Sequence, residues 1–396
     1  MFAAVQASVR HTRDVRPRVV LVRGHQANPW ELRPWEQPAI TEHFDVRFLR
    51  SRRGWFDTGS LSLESESTWT IRDLLPPGHV GDQLVRVPGD RYLGLRAKLR
   101  DADIVHTQEL GYWYSMQVAK LKPILGFAMV TTVWETIPFL NSYRNVRTRA
   151  YRAMVLAQTD LFLAATERAR MSLLLEGASA QVIRVSPPGI DTQRFDAHSI
   201  SPSADEPTIL SPGRLVWEKG HQDVLRAVAL LRRGLLPGAS AYRNVRLCIV
   251  GKGPEESRLR DYADNLGIGD AVEFCGFIPY DEMPGVYAGA ACMVLASLPV
   301  WSWEEQFGMV LAEAMATGTP ILASSSGAIP EVVANNAELF SPGDWVGLAR
   351  RLLVVLDGAP RESPKTELVR GYSTELAAER LAAAYEGLLT AGTRGA

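Results

Sequence analysis

The sequence predicts an α/β protein of two Rossmann-like, doubly wound domains facing each other across a cleft. Three observations lead there. At 396 residues the chain is longer than one hydrophobic core usually supports. Short apolar runs alternate with helical patterns throughout, as a parallel sheet built from strand-helix units requires. The runs also fall into two series, divided by the segment His198–Thr208, whose Ser/Pro content and lack of periodicity suit a hinge.

In the first series the expected strands are Arg18–Arg23, Asp45–Leu49, Asp103–His106, Ala128–Val133, Leu161–Ala164 and Val182–Val185. The second series holds Thr208–Ser211, Val245–Val250, Val272–Cys275, Ala291–Ala296 and Pro320–Ala323. Residues 1–200 then form the first domain and residues 201–372 the second. Residues 373–396 place Leu376, Leu381 and Tyr385 on one side of an amphipathic helix that packs back toward the first domain. The polar stretch Ser51–Gly94 reads as a long loop with one short helix. Ligands of doubly wound sheets bind beyond the carboxyl ends of the strands, so the loops after these runs carry the function.

Composition narrows the class. Cys248, Cys275 and Cys292 all lie on apolar, strand-like segments of the second half with no C-x-x-C spacing, the pattern of reduced, buried thiols in a cytosolic protein. No apolar run of about 18 residues and no charged-then-apolar leader is present, so neither spanning nor secretion is expected. The net charge of −1 hides an asymmetry: residues 1–200 carry 26 Lys/Arg against 20 Asp/Glu, and the remainder 17 against 24. A basic first half suits an anionic acceptor or peripheral contact with the inner membrane surface; scattered arginines on a solvated exterior are the preferred reading. The same holds for the basic helical stretch Tyr143–Arg152. Nucleic-acid binding would need a stronger basic concentration.

The chemistry starts at Glu313, one carboxylate amid Met309, Val310, Leu311, Ala312, Ala314, Met315 and Ala316. An unpaired buried charge costs several kcal/mol, and no cation lies nearby in sequence. The paired hydroxyls of a ribose answer that need, and Gly308 leaves the helix's free N–H groups where a phosphate can dock. A surface glutamate on an amphipathic helix is disfavoured because no polar face accompanies it. After the strand at Thr208 come Gly213, Arg214, Lys219 and Gly220, two cations beside a helix start that suit a diphosphate. Alone, they read equally well as solvated surface charges. Val250-Gly251-Lys-Gly253 is a Gly-rich turn after a strand, but Glu256 stands where a dinucleotide fingerprint needs its third glycine. Phe277 and Ile278 follow the next strand, where backbone and ring suit a nucleobase edge or, equally, a core turn.

Residues 182–335 resemble the retaining, nucleotide-sugar-dependent glycosyltransferases of family 4, which have the two-domain GT-B fold. Glu305 and Glu313 match that family's pair of glutamates seven residues apart. Pro188-Gly189-Ile190-Asp191-Thr192 with Phe195, the Gly213–Gly220 loop, Gly251–Pro254, Gly276-Phe277 and Gly327–Val333 match in the same order. The resemblance implies that Glu313 binds the ribose hydroxyls and Glu305 contacts the donor sugar near its reacting end. Arg214 and Lys219 would hold the diphosphate, and backbone N–H groups around Phe307, Gly308 and Met309 would take up sugar and phosphate oxygens. No metal cofactor is implied, and no Asp-x-Asp or His/Asp cluster is placed to bind Mg²⁺.

The first half departs from the family. Relatives carry a glycine pair after the first strand and a histidine after the strand ending at Val133; this chain has Gly24 alone and Trp134-Glu135. Trp134 or Glu135 then takes over that function, or Glu135 instead orients the acceptor hydroxyl. His25 and His106 lie in loops expected to reach the cleft, though hydrogen bonding at a strand end is the better reading of each. Trp30, Trp35, Tyr112, Trp113, Tyr114 and Trp134 provide aromatic faces for a sugar, a core or a lipid. The expected function is a cytoplasmic hexosyltransferase moving a sugar from a nucleoside diphosphate sugar to an unidentified hydroxyl acceptor (glycan, lipid or small molecule). It would retain anomeric configuration by a metal-independent front-side mechanism. An epimerase of the same fold and a non-catalytic sugar-nucleotide binding module are the alternatives.

Overall fold

A computed structural model describes residues 16–394 except 55, 86–88, 141–144, 197–201, 204 and 359–365. Two parallel sheets organise the chain. The first contains β1 (Arg18–Val22), β2 (Asp45–Ser51), β3 (Glu64–Thr68), β4 (Ile104–Gln108), β5 (Ala128–Val133), β6 (Leu161–Ala164) and β7 (Ile183–Val185), ordered β3-β2-β1-β4-β5-β6-β7. The second contains β8 (Thr208–Pro212), β9 (Arg246–Val250), β10 (Val272–Gly276), β11 (Cys292–Leu295), β12 (Ile321–Ser324) and β13 (Glu338–Phe340), ordered β10-β9-β8-β11-β12-β13. Strand order reverses between β1 and β4 and between β8 and β11. Loops leaving such a pair diverge and open a crevice, so the four loops after these strands are where a ligand can sit.

The strands form where branched apolar residues run together. Val19, Val20, Leu21 and Val22 of β1 are all buried, as a strand covered on both faces demands. Two strands escape the apolar-run criterion. β3 (ESEST) is a mostly exposed edge strand inside the polar stretch read as a loop, and β13 is a three-residue edge strand. Edge strands are hydrogen-bonded on one side only and need no apolar face.

The chain passes into the second domain before residue 200: Ile190 and Phe195 already sit in that domain's core. Residues 198–201 and 204 of the expected hinge lie outside the described residues. The crossing itself is hydrogen-bonded to the chain's return path, Ile190 N–H donating to the Tyr372 carbonyl at 2.8 Å and Thr374 N–H to the Ile190 carbonyl at 2.9 Å. Gly189 permits this approach, since a Cβ there would stand 2.7 Å from the Thr374 Cα.

Beyond that return path the helix Thr374–Arg394 packs on the first domain. Ala378, Leu381, Ala382, Ala384 and Tyr385 share one apolar cluster with Trp35, Ile40 and Phe44. Trp35 Nε1 donates to the Tyr385 hydroxyl at 2.8 Å, and that hydroxyl lies 2.6 Å from His106 Nδ1. His106 Nε2 is 2.7 Å from Thr132 Oγ1. His106 and Trp35 were expected near the cleft; both belong to this interior network instead. Burial holds the imidazole's pKa well below its usual value, so it is neutral and each nitrogen is satisfied by a hydroxyl.

Of the basic stretch Tyr143–Arg152, residues 143 and 144 lie outside the described residues, and Asn145 caps the helix Val146–Gln158, to which the rest belongs. Arg152 is buried and forks onto Glu176, where a solvated arginine was expected. Cys248, Cys275 and Cys292 are free thiols. Among the described residues no helix is long and apolar enough to cross a membrane.

Candidate active site in the interdomain cleft

A cavity of about 770 Å³ opens between the two sheets. It is lined by the loops after β1, β4, β8 and β11, the places the strand order singles out, and by the loop after β5. Of the residues picked from sequence, Gly24, Glu135, Arg214, Lys219, Glu305, Phe307, Gly308 and Met309 face it. Gly251, Phe277, Ile278 and Glu313 are not among its lining residues. Phe277 is exposed, Ile278 packs against the second domain's core, and Gly251 lies flat behind the Gly213 carbonyl.

The second-domain wall is cationic and rigid. Lys219 Nζ bonds Glu305 Oε2 at 2.7 Å, and the same oxygen accepts from Ser297 Oγ at 2.7 Å. Both partners are largely buried, so the pair is held in one geometry. Arg214 lies five residues away on the same loop. That loop is pinned by His221, a residue sequence reasoning passed over: its Nδ1 meets Ser211 Oγ at 2.8 Å and its Nε2 meets the Arg214 carbonyl at 3.2 Å. Burial lowers the His221 pKa to about 4, so the ring stays neutral beside Lys219. Gly308, at φ 79°, turns the chain into the helix Met309–Ala316 and points its free N–H groups at the cavity.

Glu313 requires a correction. Its carboxylate was expected to depend on a ligand for partners, yet the protein itself supplies a hydrogen-bond donor. The Tyr287 hydroxyl donates to Oε2 at 2.7 Å, and the nearby Tyr280 hydroxyl helps lower the carboxyl's pKa. Both tyrosines come from the segment after β10, too far along the chain to be read from the helix pattern. Burial still pushes the Glu313 pKa up to about 7, against the lowering effect of the two hydroxyls.

The first-domain wall is acidic and aromatic. Glu109, just past β4, was missed from sequence although it occupies a strand end. It takes a left-handed φ of 62°, uncommon for a side chain of its size and a sign of imposed geometry. Its carboxylate accepts from the Trp134 N–H at 2.8 Å. Burial first, and the Glu135 charge second, raise its pKa to about 8. Glu135, whose Oε1 accepts from the Ile137 N–H at 2.9 Å, is likewise raised by burial. Glu31 is pushed by burial to about 7. His25 Nδ1 sits 3.1 Å from Asp90 at the cavity edge. Tyr112, Trp113, Tyr114 and Trp134 supply ring faces, whereas Trp30 stacks on Tyr280 across the domain boundary.

Other contacts tie the two walls together. Arg168 forks onto Glu304 at 2.6 and 2.9 Å. Glu331 reaches across to accept the N–H groups of Glu167 and Arg168 at 2.5 and 3.1 Å, placing its carboxylate at the positive end of the helix Glu167–Leu175.

This geometry can be set beside known proteins. Residues 44–194 match the family model described as glycosyltransferase family 4, and residues 193–366 the model described as glycosyl transferases group 1. A D-inositol 3-phosphate glycosyltransferase of Corynebacterium jeikeium is 30% identical over 338 residues, 74% of this chain and 74% of that protein. The chain belongs to the group 1/family 4 glycosyltransferases.

A further relative of this glycosyltransferase is the 2-deoxystreptamine glucosyltransferase of Streptomyces kanamyceticus, 31% identical over 205 residues, 48% of this chain and only half the length of that protein. The solved structure of Anabaena HepE in complex with UDP has a TM-score of 0.73 at 16% identity, covering 94% of this chain and all of that one, a likeness of fold. The fold is GT-B. Where the family usually has a histidine after β5, this glycosyltransferase has Trp134, whose ring meets Phe307 edge-on at 6.1 Å.

Proposed function

We propose that this glycosyltransferase moves a hexosyl group from a nucleoside diphosphate sugar to an acceptor hydroxyl with retention, by a front-side mechanism that needs no metal ion. One observation carries the reading: Arg214, Lys219 and the start of the helix Met309–Ala316 converge on one wall of the cavity. That wall suits a diphosphate. The bond from the anomeric carbon to the diphosphate breaks, and the acceptor oxygen forms its bond on the same face. The departing phosphate oxygen takes the acceptor proton, while the two cations offset the charge that develops. Glu305 is committed to Lys219 and Ser297, so it orients the donor and is not free to act as a nucleophile. Among the described residues no three His, Cys, Asp or Glu side chains are grouped to hold a metal ion.

The acceptor half favours a polyol without phosphate. Its described lining includes Glu31, Asp90, Glu109 and Glu135 against Arg23 and Arg152. Arg152 is bound to Glu176, and Arg23 donates to the carbonyls of Val22 and His106. A phosphate there would find both guanidiniums already committed, beside an Asp90 carboxylate held ionised and three acids that burial pushes toward their neutral forms. This contrasts with the inositol phosphate named for the C. jeikeium relative. The test offers UDP-glucose or GDP-mannose with paired acceptors, myo-inositol against inositol 3-phosphate and glucosamine against its 6-phosphate, in the presence of EDTA. Nucleotide release that depends on the unphosphorylated acceptor, with an unchanged anomer by NMR, is expected. An inverted anomer would sink retention, loss of activity in EDTA the metal-free mechanism, and preference for phosphorylated acceptors the charge argument.

Donor binding should also depend on pH through Glu313. Its pKa of about 7 is raised above the usual carboxylate value, so the free protein protonates it below neutrality. Ribose hydroxyls donate to the ionised form. Binding therefore releases a proton, and affinity rises with pH by up to about tenfold per unit below 7 and levels off near 8. Calorimetry with UDP-glucose from pH 6 to 8.5 checks the slope, and Glu313→Gln should flatten it.

A further inference from the structure

Glu305 is held to Lys219 by its side chain, but the loop that carries it is gripped by the other domain. Glu304, the residue before it, is buried and sends its carboxylate to the first domain, where the half-exposed Arg168 binds both oxygens, Nε to Oε1 at 2.6 Å and Nη2 to Oε2 at 2.9 Å. The Glu305 carbonyl accepts the Ala328 N–H at 2.8 Å. Gly327 allows that approach, since a Cβ there would stand 2.1 Å from the Glu305 carbonyl oxygen. The short helix Ile329–Val333 that starts at this turn carries Glu331, whose carboxylate accepts the N–H groups of Glu167 and Arg168.

The second domain therefore touches Arg168 twice, at its side chain through the residue preceding Glu305 and at its N–H through the helix hung from the Glu305 carbonyl. Arg168, Glu304 and Glu331 are not among the lining residues of the cavity, so these contacts act on the site from behind. The nucleotide end of the donor wall, by contrast, is held within the second domain: Glu313 by Tyr287, and the Arg214 carbonyl by His221.

We propose that Arg168 is a positioning residue for sugar transfer, setting the Glu305–Lys219 pair against the acceptor half through Glu304 and Glu331 while the domains are together. This rests on the reading of that pair as the contact to the donor sugar and diphosphate. The second domain binds the nucleotide by itself, and the first domain completes the transfer geometry. Domains of one chain move relative to each other unless their interface is large and apolar, so the clamp makes turnover conditional on their contact.

Binding and turnover are measured on the same full-length samples. Calorimetry with UDP or GDP gives Kd and counts competent sites, and kcat per site is read as nucleotide release from UDP-glucose or GDP-mannose with the acceptors named above. Arg168→Gln should lower kcat by about ten- to a hundredfold, the scale of a misplaced reacting group, with the nucleotide Kd unchanged. Arg168→Lys should recover part of the loss, keeping the charge without the fork. Glu304→Gln should fall as far as Arg168→Gln and the double variant no further, because all three lose the same contact. A merely structural role lowers the melting temperature or the number of competent sites and leaves kcat per site as in wild type. Wild-type kcat per site in Arg168→Gln, weaker nucleotide binding in that variant, or losses that multiply in the double variant overturn the clamp and leave the donor reading standing. Wild-type kcat in Lys219→Ala/Glu305→Gln, or a wild type that releases nucleotide with none of the acceptors, removes the reading of the pair and the clamp with it.

Discussion

Glu313→Ala should all but abolish nucleotide binding while leaving the protein folded. Each charge-assisted hydrogen bond from a ribose hydroxyl to the carboxylate contributes about 1.5–3 kcal/mol, or about ten- to a hundredfold in Kd for each bond lost. The folding effect is small because two terms oppose. Alanine leaves the Tyr287 hydroxyl without its acceptor, and it also removes a carboxyl whose ionisation burial already disfavours. Titration calorimetry with the preferred nucleoside diphosphate, beside a melting curve, separates the two. Wild-type affinity in a folded Glu313→Ala protein would remove the ribose assignment.

Lys219→Ala is expected to damage both turnover and stability. In the transition state the lysine offsets charge on the departing diphosphate, a contribution of roughly two to three orders of magnitude in kcat where one such donor is removed. In the resting protein its loss strands Glu305, a buried carboxylate whose described partners are Lys219 and Ser297. Removing one member of a buried pair costs about 3–5 kcal/mol. The double variant Lys219→Ala/Glu305→Gln separates these effects, because a neutral amide no longer needs the ammonium. Stability should largely return and turnover should not. If the double variant regains wild-type kcat, Lys219 acts only on the fold.

Much of this was legible in the sequence, and for identifiable reasons. A central strand such as β1 is buried on both faces, so its residues must be apolar and the run stands out. β3 has no such constraint and was hidden among serines and glutamates. Glu313 stood out because nothing polar surrounded it on its helix, whereas Tyr287, which meets it, is brought there only by tertiary packing. Arg214, Lys219 and Glu305 were found as members of motifs, and the ion pair between two of them closes a separation of 86 residues that no local pattern encodes. Glu109 was overlooked because one acid after a strand is ordinary; its distinction lies in a backbone angle and in the company of Glu135. His106 was placed wrongly because the hydroxyl that claims it arrives from Tyr385, near the far end of the chain.

That last contact means the first lobe is not one continuous stretch of polypeptide. A fragment ending near Ile190 would lack the closing helix, exposing Trp35, Ile40 and Phe44 to water and depriving His106 of the tyrosine at its Nδ1. The amino-terminal half can be made in its native form only if Thr374–Arg394 is supplied too, in trans or by fusion. Synthesis order follows from the same wiring: the half that emerges first from the ribosome is completed last.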